Sequence, residues 1–517
     1  MPPTLRSILD HEPQPLNFGT SGRRGTVVSL TQLEIYINVL GELQYLQWLD
    51  TADGGIIPGD EFYIAHDLRP SSTRFDERQQ GRGEICQAVA EAVRDAGMRP
   101  VECGAIPTPA LAHFAWMRAK GSIMVTGSHI PFDWNGYKLN TSRGELLKQH
   151  EAPIGDRVAA VRERLYGESP DRSKFDAAGR LKSGHAELAG ALPDARCAYQ
   201  QRYAEFFSGR TLTGMRILLY EHSAVGRDLL REILEALGAE VIPAARSETF
   251  VPIDTEAIDA ATIEAIQKLA DDAGRLDAIV STDGDSDRPL ILGIDDESAV
   301  GFFPGDVVGM VVAEYLRADA VVVPVSCNDA IDRGRLAPVL EPKTRIGSPY
   351  VIAGMEAARA RGRVAVCGWE ANGGFLVGSD IERDGRTLAA LPTRDAVLPI
   401  LAVLFAAREK GLNLAALFAE LPPRFTASTV IRNFPRSVGL RLIEECPPET
   451  FSPQFGAIGA VDRTDGLRIA FSSGDVLHLR PSGNADEFRI YSCADTRERA
   501  AEITRIGAVA IGGMNRP

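Results

Sequence analysis

Several features that would assign this chain to a class are missing from it. Its seven cysteines, at 86, 103, 197, 327, 367, 446 and 493, are scattered and form no C-x-x-C pair. That excludes a dithiol or zinc-ribbon motif and leaves free thiols in a reducing compartment as the expectation. Of the eight histidines none has a partner at metal-site spacing, and His66, His113 and His222 read as structural. No stretch approaches the ~20 apolar residues that span a bilayer, and residues 1–19 carry no apolar signal core. No membrane partner is therefore expected, and a cytoplasmic location is. A Lys/Arg block able to line a nucleic-acid groove is also absent, and the formal net charge is −14. A nucleic-acid partner is disfavoured on that ground, whereas a small phosphorylated ligand needs only one or two local arginines.

What is present is a long chain with globular composition. At 517 residues, 44% hydrophobic and 24% charged, it exceeds one ordinary core, and ~150 residues per domain gives three or four domains. Helical and strand patterns alternate through most of it. Helices are predicted over 31–49, 84–96 and 110–119, with strands at 62–64, 100–103 and 123–125. The plan recurs with strands 216–219, 240–242 and 278–281 and helices 227–237 and 255–270. It recurs again with helices 306–316 and 349–360 and strands 320–323 and 364–366. Over 151–190 the apolar density falls and charge, Gly and Pro rise, which marks a loose domain boundary. After Pro422-Pro423 short alternating runs at 467–471, 476–480 and 488–493, then a helix over 496–511, predict a small antiparallel α+β domain. The expected domains are 1–155, 195–300 and 301–422, each an α/β sandwich, and an α+β domain over 423–517.

Polar, Gly-rich loops follow the predicted strands, where open α/β sheets bind ligands. The first is Thr126-Gly127-Ser128-His129-Ile130-Pro131, followed by Asn135-Gly136-Tyr137-Lys138. It exposes a hydroxyl and an imidazole above a strand end, so Ser128 is either a nucleophile or phosphate carrier, or a plain turn serine. The second, Asp283-Gly284-Asp285-Ser286-Asp287-Arg288, crowds three carboxylates into one loop. Such like charges repel unless a cation sits among them, and hard oxygen donors select Mg²⁺ or a similar ion. The Glu that an EF-hand requires further on is missing. The third is Gly368-Trp369-Glu370-Ala371-Asn372-Gly373-Gly374. Near the N-terminus, Gly19-Thr20-Ser21-Gly22-Arg23-Arg24-Gly25 combines hydroxyls and guanidinium groups, suited to an anion or to a β-turn. Near the C-terminus, Arg480-Pro481-Ser482-Gly483-Asn484, with Arg489, holds the parts of a phosphate clamp.

These five motifs, in this order and spread over nearly the whole chain, resemble those of the α-D-phosphohexomutase family, in its bacterial phosphomannomutase/phosphoglucomutase form. The resemblance implies three α/β domains and a smaller fourth around a central cleft. It also implies conversion of hexose 6-phosphate to hexose 1-phosphate, or the reverse, on mannose and/or glucose. Ser128 would carry the phosphoryl group and complete an Mg²⁺ site with Asp283, Asp285 and Asp287. A hexose 1,6-bisphosphate would form as intermediate and serve as activator. Arg24, Lys138 and Arg288 would offset phosphoryl charge, in keeping with the positioning and charge neutralisation that such transfer requires. Glu370 and Asn372 would accept sugar hydroxyls, with Thr20, Ser21 and Gly347 also on the substrate. Arg480, Ser482, Gly483, Asn484 and Arg489 would hold the distal phosphate. Phosphosugars are the expected partners, and the chain is expected to be a monomer or dimer.

The departures from the family pattern are specific. Gly127 and Ile130 stand where Ala and Asn are commonest. Gly374 stands where many members carry His, leaving proton transfer to His129, Lys138 or Arg24. In the segment Lys343 to Ser348, which resembles a specificity loop, Ser348 replaces a His found in some members. Phosphoglucosamine or phosphopentose mutase is the alternative enzyme, and a non-catalytic sugar-phosphate-binding relative the alternative of another class. Trp116 and Trp134 read as packing, Trp134 near enough to the Ser128 loop to wall a cleft.

Overall fold

The computed structural model describes residues 2–19, 22–76, 78, 80–295, 297–482 and 486–514. Two compact units emerge, one of residues 1–291 with 391–400, the other of 292–390 with 401–517.

In the first unit a five-stranded sheet runs in the order Arg23–Thr26, Trp134–Asn140, Ser122–Val125, Glu61–His66, Arg99–Ala105. The last three strands are parallel to one another, and Trp134–Asn140 returns antiparallel to Ser122–Val125. Ser122–Val125 is buried at every position, as its unbroken apolar run requires of a strand covered on both faces. Helices Gln32–Trp48 and Ile85–Asp95 feed the core beneath it with Leu33, Ile37, Leu40, Val89 and Val93. Two strands lie where only loop was read. Arg23–Thr26 pairs antiparallel with Trp134–Asn140, so Arg24 extends from a strand edge.

The segment that reads as a boundary, 151–190, opens on a full helix, Glu151–Gly167. Its only buried residues are Ile154, Val158, Val161 and Leu165. That spacing is one helical stripe, and the charged residues on the remaining faces dilute it below notice in a composition count. Helix Asp194–Phe206 was also unread, its buried face made largely by Tyr199, Tyr203 and Phe206.

The second sheet is ordered Val300–Phe302, Pro289–Ile294, Ala278–Thr282, Arg216–His222, Glu240–Arg246, and of these the last three are parallel. The division between units falls inside strand Pro289–Ile294. The helix expected at 255–270 begins later, at Ala260, where the Asp259 carboxylate caps it by accepting from the Thr262 amide.

In the second unit Ala320–Val322 lies parallel to Val366–Trp369, which pairs antiparallel with Phe375–Val377. The strand expected at 364–366 thus starts two residues later and takes in Trp369. Burial explains the shift, because Trp369 is fully enclosed, stacks on Phe375 at 5.8 Å and donates its indole N–H to the Asp306 carbonyl at 3.0 Å. Beyond it lies a five-stranded sheet ordered Phe425–Arg432, Glu487–Ala494, Val476–Pro481, Leu467–Phe471, Ile458–Asp462. All its pairings are antiparallel, and helix Arg497–Met514 follows. The outer strand Phe425–Arg432 gives little sequence signal because Thr426, Ala427, Ser428 and Thr429 alternate in exposure with little apolar contrast. The architecture is α/β layers followed by an antiparallel α+β portion. Among the described residues no helix is long and apolar enough to cross a membrane. All seven cysteines are free.

One core feature carries a pH prediction. Glu102, on the edge strand Arg99–Ala105, is 5% exposed and neither carboxylate oxygen has a hydrogen-bond partner. Burial pushes its carboxyl up to about 7, with Arg94 opposing weakly. Between the unfolded value near 4.5 and about 7 the folded state holds a proton that the unfolded state has released. Stability is therefore lost as pH rises through that window, by about 3 kcal/mol once both states are ionised. Glu102→Gln is expected to raise the denaturation midpoint at pH 8 and leave it unchanged at pH 4. Equal midpoints at pH 8 would show that the ionised carboxylate is solvated.

Candidate active site

The loop after Val125 is held from below by two residues of Asp67-Leu68-Arg69-Pro70. The Asp67 carboxylate accepts the Thr126 hydroxyl at 2.8 Å and the Gly127 amide at 3.3 Å. Arg69, wholly buried, donates to four backbone carbonyls of the loop, those of Ser128 (3.0 Å), Ile130 (2.5 Å), Pro131 (2.7 Å) and Trp134 (2.8 Å). Its guanidinium also pairs with Asp67 at 3.3 Å and lies 3.8 Å from the Phe250 ring centre. The Gly127 departure fits this arrangement, because a Cβ there would fall 2.6 Å from the Arg69 Cζ and Nε. So tethered, Ser128 sits at φ +54°, a left-handed conformation that a non-glycine residue keeps only when its surroundings impose it. Its amide donates to Thr126 Oγ1 at 2.7 Å. Its hydroxyl is left to face the aspartate loop.

That loop leaves strand Ala278–Thr282 and likewise holds a serine, Ser286, at positive φ, +55°. Asp283, Asp285 and Asp287 are fully buried, and one potential ligand atom from each lies within 4.8 Å of the others. The oxygens divide their work. Asp283 Oδ1 accepts the amides of Asp287 (3.1 Å) and Arg288 (3.2 Å), while Oδ2 accepts the Ser128 hydroxyl at 2.7 Å. Asp285 Oδ2 takes Lys138 Nζ at 2.6 Å and the Thr108 hydroxyl at 2.5 Å. Asp287 Oδ2 takes Lys138 Nζ at 2.5 Å and Arg394 Nε and Nη2 at 3.0 Å each. Asp285 Oδ1 and Asp287 Oδ1 have no hydrogen-bond partner although buried. Two orphaned carboxylate oxygens beside a serine oxygen suit a hard divalent cation, so these residues fit one.

Burial, joined by the charges of Asp285 and Asp287, pushes the Asp283 carboxyl well above the usual range. Burial works the same way on Asp285 and Asp287 but loses to their cations. Lys138 holds Asp285 down and Arg394 holds Asp287 down. Arg288 Nη1 donates to His129 Nδ1 at 3.0 Å, whereas Ser128 Oγ stands 3.4 Å from the same nitrogen. Because a guanidinium only donates, Nδ1 is an acceptor there, which fixes the neutral tautomer and engages the lone pair that would serve Ser128. Arg24 completes the group. Burial first, then the charges of Arg288 and Arg394, bring its guanidinium down to about 10, with Asp285 and Asp287 opposing.

Ser128, His129, Lys138, Arg24, Arg288 and the three aspartates are thus gathered in one place, together with Arg69, Asp67, Thr108 and Arg394. None of these last four was singled out from sequence. Asp67 and Arg69 had a signal, a polar D-x-R turn closing a strand, but Thr108 and Arg394 had none. His222 is structural, its Nε2 on the Thr282 carbonyl at 2.8 Å and its acidity set by burial at about 4. Trp134 is 38% exposed.

The second unit holds the remaining sequence-predicted residues that the structure describes. Glu370 and Asn372 are buried in a tight turn closed by Gly373 N to Glu370 O (2.9 Å) and Gly374 N to Asn372 Oδ1 (3.0 Å). The turn rests on the start of helix Gly305–Leu316 so closely that a Cβ on Gly305 would lie 2.1 Å from the Gly373 nitrogen. Gly347, at φ +130°, precedes helix Ser348–Ala360. The neighbouring Ile346 amide donates to Asp465 Oδ2 at 2.9 Å, and Asp465 Oδ1 pairs with Arg480 Nε at 3.0 Å, so one carboxylate joins these two loops. Arg480 lies directly across from Arg489 in the sheet, a like-charge pairing in which Arg489 Nη2 stands 3.8 Å from Glu487 Oε2. Ser482 is buried, its amide on the Glu487 carbonyl at 2.8 Å. Thr20, Ser21, Gly483 and Asn484 lie outside the described residues.

Comparison with known proteins gives concordant matches. Models of phosphoglucomutase/phosphomannomutase alpha/beta/alpha domains I, II and III match residues 15–165, 198–295 and 304–425. A phosphomannomutase of Sinorhizobium fredii (strain NBRC 101917 / NGR234) is 39% identical over 96% of this chain and 98% of its own length. One of Salmonella muenchen is 38% identical over 94% of each. Among solved structures, a phosphoglucomutase/phosphomannomutase family protein from Burkholderia thailandensis shares the fold. Its TM-score is 0.67 at 18% identity, covering 96% of this chain and 97% of its own.

Proposed function

The chain belongs to the phosphoglucomutase/phosphomannomutase family, and from that premise we propose that it interconverts hexose 6-phosphate and hexose 1-phosphate through a phosphoserine at Ser128. The observation that carries this reading is the Ser128 hydroxyl, 2.7 Å from an aspartate of a buried three-carboxylate loop that Lys138 and Arg288 pair with and whose charges act on Arg24. A serine meant only to turn the chain has no use for that setting.

In this reading the phosphoryl group on Ser128 Oγ passes to the free hydroxyl of a hexose phosphate, giving a 1,6-bisphosphate. The Oγ–P bond breaks, a new O–P bond forms, and the sugar hydroxyl yields its proton. The bisphosphate then turns end for end and returns its other phosphoryl group to Ser128. Asp283, Asp285 and Asp287, with the Ser128 oxygen, would hold Mg²⁺, which when bound supplies charge neutralisation at the transferring phosphoryl oxygens. Lys138, Arg288 and Arg24 share that task from fixed positions. Proton transfer falls to His129, Lys138 or Arg24. The His129 lone pair at Nδ1 is engaged by Arg288. Glu370 and Asn372 would read sugar hydroxyls, with Gly347, Thr20 and Ser21 also on the substrate. Arg480, Ser482, Arg489, Gly483 and Asn484 would hold the non-reacting phosphate.

Both relatives at 38–39% identity are phosphomannomutases, which makes mannose 1-phosphate and mannose 6-phosphate the first substrates to try. The test is a panel of mannose, glucose and glucosamine phosphates with Mg²⁺ and a trace of hexose 1,6-bisphosphate, beside peptide mapping of Ser128. Mannose and/or glucose phosphates should turn over fastest. A sample fully phosphorylated at Ser128 and loaded with Mg²⁺ that converts none of them would overturn the assignment.

A further inference from the structure

Asp285 and Asp287 each have one oxygen tied to the protein and another without a hydrogen bond, and for Asp287 part of the tie comes from far along the chain. Arg394 is 3% exposed and lies in strand Leu391–Asp395. Both its Nε and Nη2 reach Asp287 Oδ2 at 3.0 Å. Asp287 Oδ1 is left without a hydrogen bond, Arg288 Nε standing 3.6 Å away. The residues either side of Arg394 are fixed as well. Thr393 Oγ1 donates to Glu145 Oε1 at 2.7 Å, and the buried Asp395 carboxylate accepts the hydroxyls of Tyr199, at 2.5 Å, and Tyr203. Arg394 is thus held at its tip, and the side chains of both its chain neighbours are held as well.

We infer that Arg394 is a positioning residue for the divalent-cation site: its two-pronged grip on Asp287 Oδ2 sets the carboxylate rotation that presents Oδ1 to the ion. The inference rests on the metal-assisted mutase reading and adds to it a residue from outside every motif that suggested it. Two N–H groups converging on one oxygen fix both direction and distance, which the lone ammonium of Lys138 on the same oxygen does not. Partners that orient a metal ligand in this way typically carry a 10–100-fold share of metal affinity.

Charge and orientation make opposite predictions, so the role can be tested without turnover. An Arg394 acting only as a nearby positive charge would repel the ion, and its removal would tighten binding. Acting as a positioner, its removal weakens binding. Mn²⁺ titration of the full chain by calorimetry, with Mg²⁺ competition, is expected to show affinity at least about tenfold lower in Arg394→Ala. Arg394→Lys, with the charge kept but one donor in place of two, is expected to recover only part of it. Where Arg394→Ala does not hold its fold by circular dichroism, Arg394→Met keeps the buried stem and should show the same loss. Equal or tighter Mn²⁺ binding in a folded Arg394→Ala or Arg394→Met overturns the inference, as does a wild-type chain that binds no Mn²⁺. A wild-type chain that binds Mn²⁺ but turns over no hexose phosphate overturns the mutase reading and leaves the role of Arg394 standing on the titration.

Discussion

Ser128→Ala is expected to lower mutase turnover by at least about 10³-fold and to abolish incorporation of phosphate into the protein. Losing one oriented donor at a transition state already costs 10²–10³, and here the oxygen that would carry the group is itself removed. The fold should survive. The Ser128 hydroxyl reaches only the Asp283 carboxylate at 2.7 Å and His129 Nδ1 at 3.4 Å, while the loop is held by Arg69 and Asp67 through backbone atoms that alanine retains. The measurement is kcat on mannose and glucose 1-phosphates, with the intact mass of protein incubated with the bisphosphate. A variant that turns over within tenfold of wild type would rule out a serine carrier and return Ser128 to the role of a turn residue.

The second large effect is expected at Asp285. Asp285→Asn keeps the shape and removes one negative charge from a carboxylate whose Oδ2 is saturated by Lys138 and Thr108 and whose Oδ1 is unpaired. At saturating Mg²⁺, kcat should fall by about 10²–10³, with KM for the sugar phosphate within about threefold. The reason is that the ion would act on charge that develops during transfer, while the substrate would be gripped by other residues. Equal losses in kcat and KM would show instead that the loop shapes the binding site. The affinity for Mg²⁺ should fall as well, which a metal titration separates from the effect on kcat.

How much could be read without coordinates follows from the range over which each signal acts. The α/β layering was legible because strands such as Ser122–Val125 and Ala278–Thr282 are continuous apolar runs that end in polar loops. The Ser128 and aspartate loops were legible because each concentrates its chemistry within six residues. Helix Glu151–Gly167 was not, since four buried residues in seventeen leave a charged surface that composition reads as linker. The start of strand Val366–Trp369 was misplaced because Trp369 was assigned to the polar loop beside it, and only its stacking on Phe375 shows that it belongs to the core. Arg394, which has no local signal, and the long-range role of Arg69, whose D-x-R turn shows only a polar strand end, are hidden for a different reason. Each is one of 56 Lys and Arg residues, and what distinguishes them is burial against partners 59 or more positions away, which no local spacing records.

The discontinuity of the first unit bears on how the protein is made. Its body ends at residue 291, yet it also includes 391–400, with Arg394 on Asp287 and Asp395 between Tyr199 and Tyr203. A ribosome adding ~5–20 residues per second needs on the order of ten seconds to cover the interval. Throughout that time the nascent unit carries three crowded carboxylates short of one guanidinium, and two buried phenols without their acceptor. The unit cannot be finished in order of synthesis. Release of residues 391–400 from the exit tunnel is the event that completes it, so a pause or a truncation within 292–390 would strand the aspartate loop half-built.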